Sequence, residues 1–187
     1  MKMVRLCLLF ILLCGLIYPL VTTAAAQLIF PKQAKGSLVY DEDNIIGSEL
    51  IAQQFTSKQY FHGRISSIQN DGAASGSTNY APSNKDLLKR VKESIETLKG
   101  ENPGIKTSDI PLDLITNSGS GLDPEISIKA AEFQISRVTK ETGISEEKLH
   151  LLINQYKEKR SLGLFGEPRI NVLTLNLALM DLLEHEE

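Results

Sequence analysis

Cysteine and histidine, from which thiol chemistry and most metal centres are built, are scarce in this chain: two cysteines and three histidines among 187 residues. Both cysteines, Cys7 and Cys14, fall inside one apolar run, so the rest of the chain has no disulfide framework and no thiolate zinc site. Seven apart, they share one helix face and read as small apolar packing residues. The histidines, His62, His150 and His185, are too widely separated for metal-ligand spacing. No Gly-x-Ser-x-Gly elbow surrounds Ser118 or Ser120, and no lysine follows in the Walker pattern. Hydrolase chemistry therefore has no support. Twenty Lys and Arg are interspersed with twenty-three Asp and Glu, for a net charge of −3. The lack of a basic stripe argues against a nucleic-acid partner.

Charge is also missing from one long stretch: Leu6 to Phe30 contains no charged residue. At ~1.5 Å rise per residue, a helix of that length crosses a hydrocarbon core of ~30 Å with some tilt. Pro19 lies inside it, which a membrane helix tolerates better than a soluble one. A cleaved signal peptide is the competing reading, with Lys2 and Arg5 as its basic start and Ala24-Ala25-Ala26 as its cleavage site. The run is longer than the ~7 to 15 residues of an ordinary signal h-region, which favours a transmembrane helix. The chain thus divides into a short basic start at 1–5, a transmembrane helix at 6–30 and a domain at 31–187. Lys2 and Arg5 are balanced by Lys32 and Lys35, so charge alone does not orient it. The N-terminal amine tips the balance towards an N-terminus inside and a domain outside.

Beyond the anchor the spacing predicts mostly helices and a few strands, an α/β (mixed α+β) soluble domain on one N-terminal transmembrane helix. Gly36 to Tyr40 suits a strand, and Ser48 is placed to cap a short helix burying Leu50, Ile51 and Phe55. Residues 57–83 are polar and irregular, long enough to be a functional loop. Ser83 or Asn84 caps a helix with Leu87, Leu88, Val91, Ile95 and Leu98 on one face and Gly100 at its end, before an Asn102-Pro103-Gly104 turn. Ile110 to Thr116 reads as a short strand. Ser145 caps a helix burying Leu149, Leu152, Ile153 and Tyr156. After a loop at Gly163 to Pro168, the last segment, Val172 to Leu183, is apolar in nearly every direction, as a central core helix or one docked on a partner should be.

The most informative stretch is Asn117-Ser118-Gly119-Ser120-Gly121-Leu122-Asp123-Pro124-Glu125, a glycine-serine loop running into an expected helix start. Asp123 is suited to the N-cap, Pro124 to the first helical position and Glu125 to the positive end of the dipole. Ile128, Ala131, Ile135 and Val138 then form a buried stripe, and Gly143 ends the helix. Ser118, Gly119, Ser120 and Gly121 are candidates for phosphate contact through backbone N–H groups at a helix N-terminus. Asp123 and Glu125 would repel such an anion. The favoured reading is a tight turn whose serine hydroxyls bond local amides and which needs both Gly119 and Gly121.

Taken with Gly47-Ser48-Glu49-Leu50-Ile51-Ala52-Gln53, Tyr60-Phe61-His62-Gly63-Arg64, Ser75-Gly76-Ser77-Thr78-Asn79 with Pro82-Ser83-Asn84, and Gln134 with Arg137-Val138, that stretch forms an ordered series of motifs. The series closes with Gly166-Glu167-Pro168-Arg169-Ile170-Asn171-Val172-Leu173 and Leu175-Asn176-Leu177-Ala178-Leu179. Together they resemble the KdpC family, the small C subunit of the bacterial potassium-transporting P-type ATPase. Ile65 stands where the family usually has proline, and Ser77 and Ala81 where glycine is usual.

The resemblance implies an accessory subunit of the high-affinity ATP-driven potassium uptake pump. It is non-catalytic by itself and sits in the cell membrane with its N-terminus cytoplasmic and its domain extracytoplasmic. The implied partners are the pore-forming (KdpA-like) and ATP-hydrolysing (KdpB-like) subunits and the lipid bilayer. Two roles go with that expectation beside assembly: a catalytic chaperone that raises the ATP affinity of the ATPase subunit, or an entrance-side modulator of potassium access. No cofactor is held firmly; ATP enters only through a complex with the ATPase subunit, and potassium is the transported ion. A membrane-anchored or secreted binding domain unrelated to transport, and a nucleotide-binding enzyme, are the alternatives. Ser75 to Asn79 reads as a polar surface turn, or as oxygen ligands facing the potassium path.

Within these motifs Arg64, Asn79, Asp123, Gln134, Arg169, Asn171 and Asn176 are the structural or interface candidates. Arg64, after Tyr60 and Phe61, is expected to pin the long loop by an ion pair or a stacking contact, or to meet another subunit. Arg169, bracketed by Pro168 and Asn171 in an expected helix-start turn, leans towards a structural role.

Overall fold

The structure, a computed structural model, describes residues 2–41 and 44–186. It divides into two compact units, Met1–Ser48 and Glu49–Glu187.

In the first unit one helical run of 28 residues, Lys2–Ile29, is long and apolar enough to cross a membrane, and none of its central window is buried. It comprises α1 (Lys2–Leu12), a π turn (Leu13–Ile17) and α2 (Tyr18–Ile29). The wide turn answers Pro19, whose ring displaces the carbonyl four residues earlier and which offers no N–H. Tyr18 N–H instead reaches Leu13 O, and Thr22 Oγ1 donates back to Tyr18 O at 2.9 Å. The four-residue α3 (Pro31–Ala34) then ends in a left-handed Gly36 and Ser37. The strands β1 (Leu38–Asp41) and β2 (Asn44–Ser48) pair antiparallel, Leu38 opposite Ser48, with an irregularity between Val39 and Tyr40. The expected helix cap at Ser48 is thereby corrected: β-branched Ile45 and Ile46 belong to a paired strand, and Ser48 Oγ donates to Gly36 O at 2.7 Å.

Among its described residues the second unit has four α-helices and a small three-stranded sheet. Residues 49–83 contain no helix and no strand, so Leu50 stays exposed where a buried helical residue was expected. Asn84 caps α4 (Lys85–Glu101), its Oδ1 accepting from Asp86 N–H and Leu87 N–H. Two differences follow in α4. It runs through Gly100 to Asn102, whose side chain donates to Leu98 O and satisfies the terminal carbonyl in glycine's place. Of its apolar row, Leu98 packs on the core, while Leu88 is exposed.

Ile110 to Thr116 forms a 3-10 turn at Leu112–Leu114 and not a strand. Pro111 lacks a ladder donor, and Asp113 is drawn away to accept from Ser127 N–H at 2.8 Å. The larger correction concerns Asp123-Pro124-Glu125. Glu125–Ser127 is a strand, β3, and the helix α5 (Ile128–Thr142) starts four residues later than expected, capped by Ser127 Oγ on Ala130 N–H. Pairing decided this: β3 runs antiparallel to β5 (Arg169–Asn171), setting buried Ile126 opposite buried Ile170. Between them in sequence, α5 ends at left-handed Gly143, Ser145 caps α6 (Glu146–Tyr156), and β4 (Lys157–Glu158) pairs with the other side of β5.

The helix α7 (Val172–Glu186) completes the unit, its start fixed by Asn171 Oδ1 accepting from Thr174 N–H. Val172, Leu173, Leu175, Ala178 and Leu179 are buried, joining Ala130, Ala131, Ile135 and Val138 of α5 and Leu149, Leu152 and Ile153 of α6. Phe61, from the irregular segment, is wholly buried among them. A large aromatic anchors a loop that has no ladder of its own.

Candidate functional site

The irregular segment 57–83 must satisfy its backbone without secondary structure, and side chains of α5 and α7 do it. Asn176 is 0 % exposed. It accepts from Phe61 N–H and donates to Phe61 O, both at 2.8 Å, as a neighbouring strand would. Gln134 repeats the device one residue on: Oε1 accepts from His62 N–H at 2.7 Å and Nε2 donates to His62 O at 3.1 Å.

Arg137, 3 % exposed, sits one turn along α5 from Gln134. Its guanidinium donates to Lys58 O, to Tyr60 O at 3.0 Å and to Gln134 Oε1 at 2.7 Å. Glu101 Oε2 lies 3.7 Å from Nε, an ion pair by distance. Burial lowers the Arg137 pKa, opposed by Glu101 and then Glu141. Burial, and then Arg137, also lower the His62 pKa, while the bond of its ring to Ser57 O and the Glu101 charge work the other way. Arg137 and His62 were not among the expected site residues. The signal for Arg137 was a cation one turn beyond the motif residue Gln134, beside the apolar stripe of Ala131, Ile135 and Val138.

Around this bracket lies the glycine-serine loop. Ser118 Oγ accepts from Gly121 N–H at 3.0 Å and Asp123 N–H at 3.3 Å, and Ser120 Oγ from Leu122 N–H at 3.1 Å. Gly76 N–H donates to Ser120 O at 2.7 Å, joining the loop to the 75–79 turn. Gly121 has φ +73°, and a Cβ there would lie 2.6 Å from Ile68 Cγ1 and 2.9 Å from Gly76 O. Gly119 has open space around it. Of the two glycines expected to be required, Gly121 alone has a positive φ and neighbours that crowd a side chain. Asn79 is exposed.

Both arginines are held by carboxylates. Arg64 Nη1 donates to Asp123 Oδ2 at 2.7 Å and Nη2 to Asn117 O at 3.0 Å, so the loop is pinned by an ion pair. Asp123, the expected helix cap, instead accepts from Glu125 N–H through Oδ1. Arg169 lies on β5, not in a helix-start turn. It donates from Nε to Glu125 Oε1 at 2.6 Å and approaches Glu158 Oε2 at 3.0 Å. The Glu125 hydrogen bond and charge raise its pKa. Asn171 Nδ2 donates to Glu49 O at 2.7 Å, securing the start of the unit. Arg64, Asp123, Glu125 and Arg169 line one open cleft of about 390 Å³. Among the described residues no cluster of His, Cys, Asp and Glu could hold a metal ion. Chemically, the arrangement holds backbone in place; its charges and hydroxyls are turned on one another.

Known proteins share this chain along almost its whole length. The family model described as KdpC, K+-transporting ATPase, c chain, matches residues 1–181. The potassium-transporting ATPase KdpC subunit of Bacillus cereus (strain Q1) is 54% identical over 182 residues, covering 97% of this chain and 94% of that protein. The KdpC subunits of Bacillus mycoides (strain KBAB4) and Bacillus anthracis are each 53% identical over the same shares.

Proposed function

The chain belongs to the KdpC family, the c chain of K+-transporting ATPases, and from that membership we propose that it is a scaffold within the pump. In this reading it is a non-catalytic accessory subunit that stabilises the complex of the pore-forming (KdpA-like) and ATP-hydrolysing (KdpB-like) subunits. The Lys2–Ile29 helix anchors it in the cell membrane, N-terminus cytoplasmic, and the domain stands outside, over the potassium entrance.

The observation that carries the scaffold reading is the engagement of the glycine-serine loop with itself. Ser118 and Ser120 accept from three amides of their own turn, and two carboxylates, Asp123 and Glu125, follow at once. A phosphate would need those amides released and would meet like charge. Raising the ATP affinity of the ATPase subunit by direct contact therefore requires this loop to open. Positioning partner chains on a rigid surface does not.

Co-purification and labelling test the reading together. The full chain, co-expressed with the other pump subunits, should retain them through detergent extraction, and its omission should dissociate them. Ser136→Cys, on an exposed face of α5, combined with Cys7→Ala and Cys14→Ala, should react with a membrane-impermeant maleimide in intact cells. Protection until the cells are opened would sink the entrance-side placement.

A further inference from the structure

The stretch between β4 and β5 displays three apolar side chains where water should be. Leu162, Leu164 and Phe165 are 89 %, 75 % and 65 % exposed. They do not hang from a slack loop. Ser161 N–H donates to Phe165 O at 2.8 Å and Phe165 N–H to Ser161 O at 3.0 Å, closing a tight turn. Below it, Arg160 Nη2 holds both Glu167 oxygens at 2.8 Å, and Arg169 ties Glu158 to Glu125. Leu162 has φ +54°, a left-handed conformation that is costly for a leucine, with Gly163 at +74° beside it. An ordered turn that strains a leucine in order to leave it exposed is built for display.

We propose that this tip, Leu162-Gly163-Leu164-Phe165, is a docking knob that seats in an apolar, acid-rimmed pocket on another subunit of the transporter. The acid rim follows from charge complementarity: Lys157 Nζ donates to a neutral partner, Asn154 Oδ1, and Lys159, just after the strand, is exposed. A lipid surface fits less well. Its attraction scales with the number of uncompensated cations, and here, with Arg160 and Arg169 held by Glu167 and Glu158, two lysines are left. Three side chains in a fixed array match one protein pocket, as an interface hot spot does. This inference rests on the reading of the chain as a pump subunit and names the surface that reading leaves open.

The test places a photoreactive benzoylphenylalanine at Phe165 of the full chain, co-expressed with the other subunits, and irradiates the assembled complex. A covalent adduct to another transporter subunit is expected. In parallel, the double variant Leu162→Asp, Phe165→Asp should lower the yield of co-purified subunits on the order of tenfold, with helical circular dichroism and melting temperature unchanged. An adduct to lipid alone, no adduct from an intact complex, or an undiminished yield from the double variant overturns the knob. Failure of the wild-type chain to hold any transporter subunit overturns the subunit reading itself, and the knob with it.

Discussion

The bracket of Gln134, Arg137 and Asn176 and the clamps at Arg64 and Arg169 both hold separate chain segments together with polar side chains, yet water treats them differently. The bracket is closed to solvent, with Arg137 and Asn176 almost wholly buried. The Arg64–Asp123 and Arg169–Glu125 pairs are only half-buried. A polar group deprived of its partner in the interior loses a hydrogen bond that water does not replace, whereas one at the surface exchanges it for water. Similar bonds should therefore carry unequal weight, and substitutions can rank them.

Arg137→Ala stands at the top. It strands the Lys58 and Tyr60 carbonyls and leaves Glu101 beside an empty space, which we expect to cost about 3–5 kcal/mol in urea denaturation of the detergent-solubilised chain. A loss below that of any surface clamp would erase the distinction. Asn176→Ala follows, with both polar groups of Phe61 buried and unsatisfied. Its expected cost is about 2–4 kcal/mol, read from the same curves.

Gly121 and Gly119 repeat the contrast within one turn. Gly121→Val meets Ile68 and the Gly76 carbonyl and forces a β-branched residue to φ +73°. The expected loss is about 3 kcal/mol, with pump assembly falling accordingly. Gly119→Val meets nothing. Its melting curve should overlay the wild type; an equal loss at both sites would refute the steric account.

What the residues announced and what they withheld divides along the same line. Caps written within one turn were legible: Asn84, Ser145 and the stop at Gly143 all act where the sequence puts them. So was the all-round apolar character of α7. Asp123-Pro124-Glu125 had equally good local signals for a helix and became a turn and a strand, because Ile126 finds Ile170 across 44 residues. Propensity yields to a long-range buried pair. The motif positions Gln134 and Asn176 marked structural residues, but only the structure shows that both serve the backbone of Phe61 and His62. Arg137 was hidden by its neighbours: a cation among Gln134, Lys140 and Glu141 reads as surface until its acceptors are seen.

The clamps come next in expected size. Arg64→Ala should cost about 1 kcal/mol, and raising salt should shrink the wild-type advantage if the Asp123 pair supplies it. An Arg64 variant as damaging as Arg137→Ala would mean that the cleft is closed to water in the assembled pump, and would move Arg64 from the clamp to an interface.

The smallest effect is a pH dependence, and its sign follows from the bracket. The folded chain holds His62 below its ordinary pKa of 6.5, by burial first and by the nearby Arg137 charge second. Unfolding frees the ring to take a proton more readily, so in the window just below pH 6.5 the unfolded state binds more protons than the folded one. Stability rises with pH across that window and is complete above it; acidification from pH 7 removes it until the folded-state pKa is passed. His62→Asn has no group to titrate there. Between pH 7 and pH 5 its midpoint in urea should fall less than that of the wild type, with the carboxylates contributing equally to both. Arg137→Ala should narrow the same gap, since it takes away the second cause of the shift. Parallel pH profiles for wild type and His62→Asn would show that the imidazole keeps its ordinary affinity for protons, and that the bracket admits more water than its closed geometry implies.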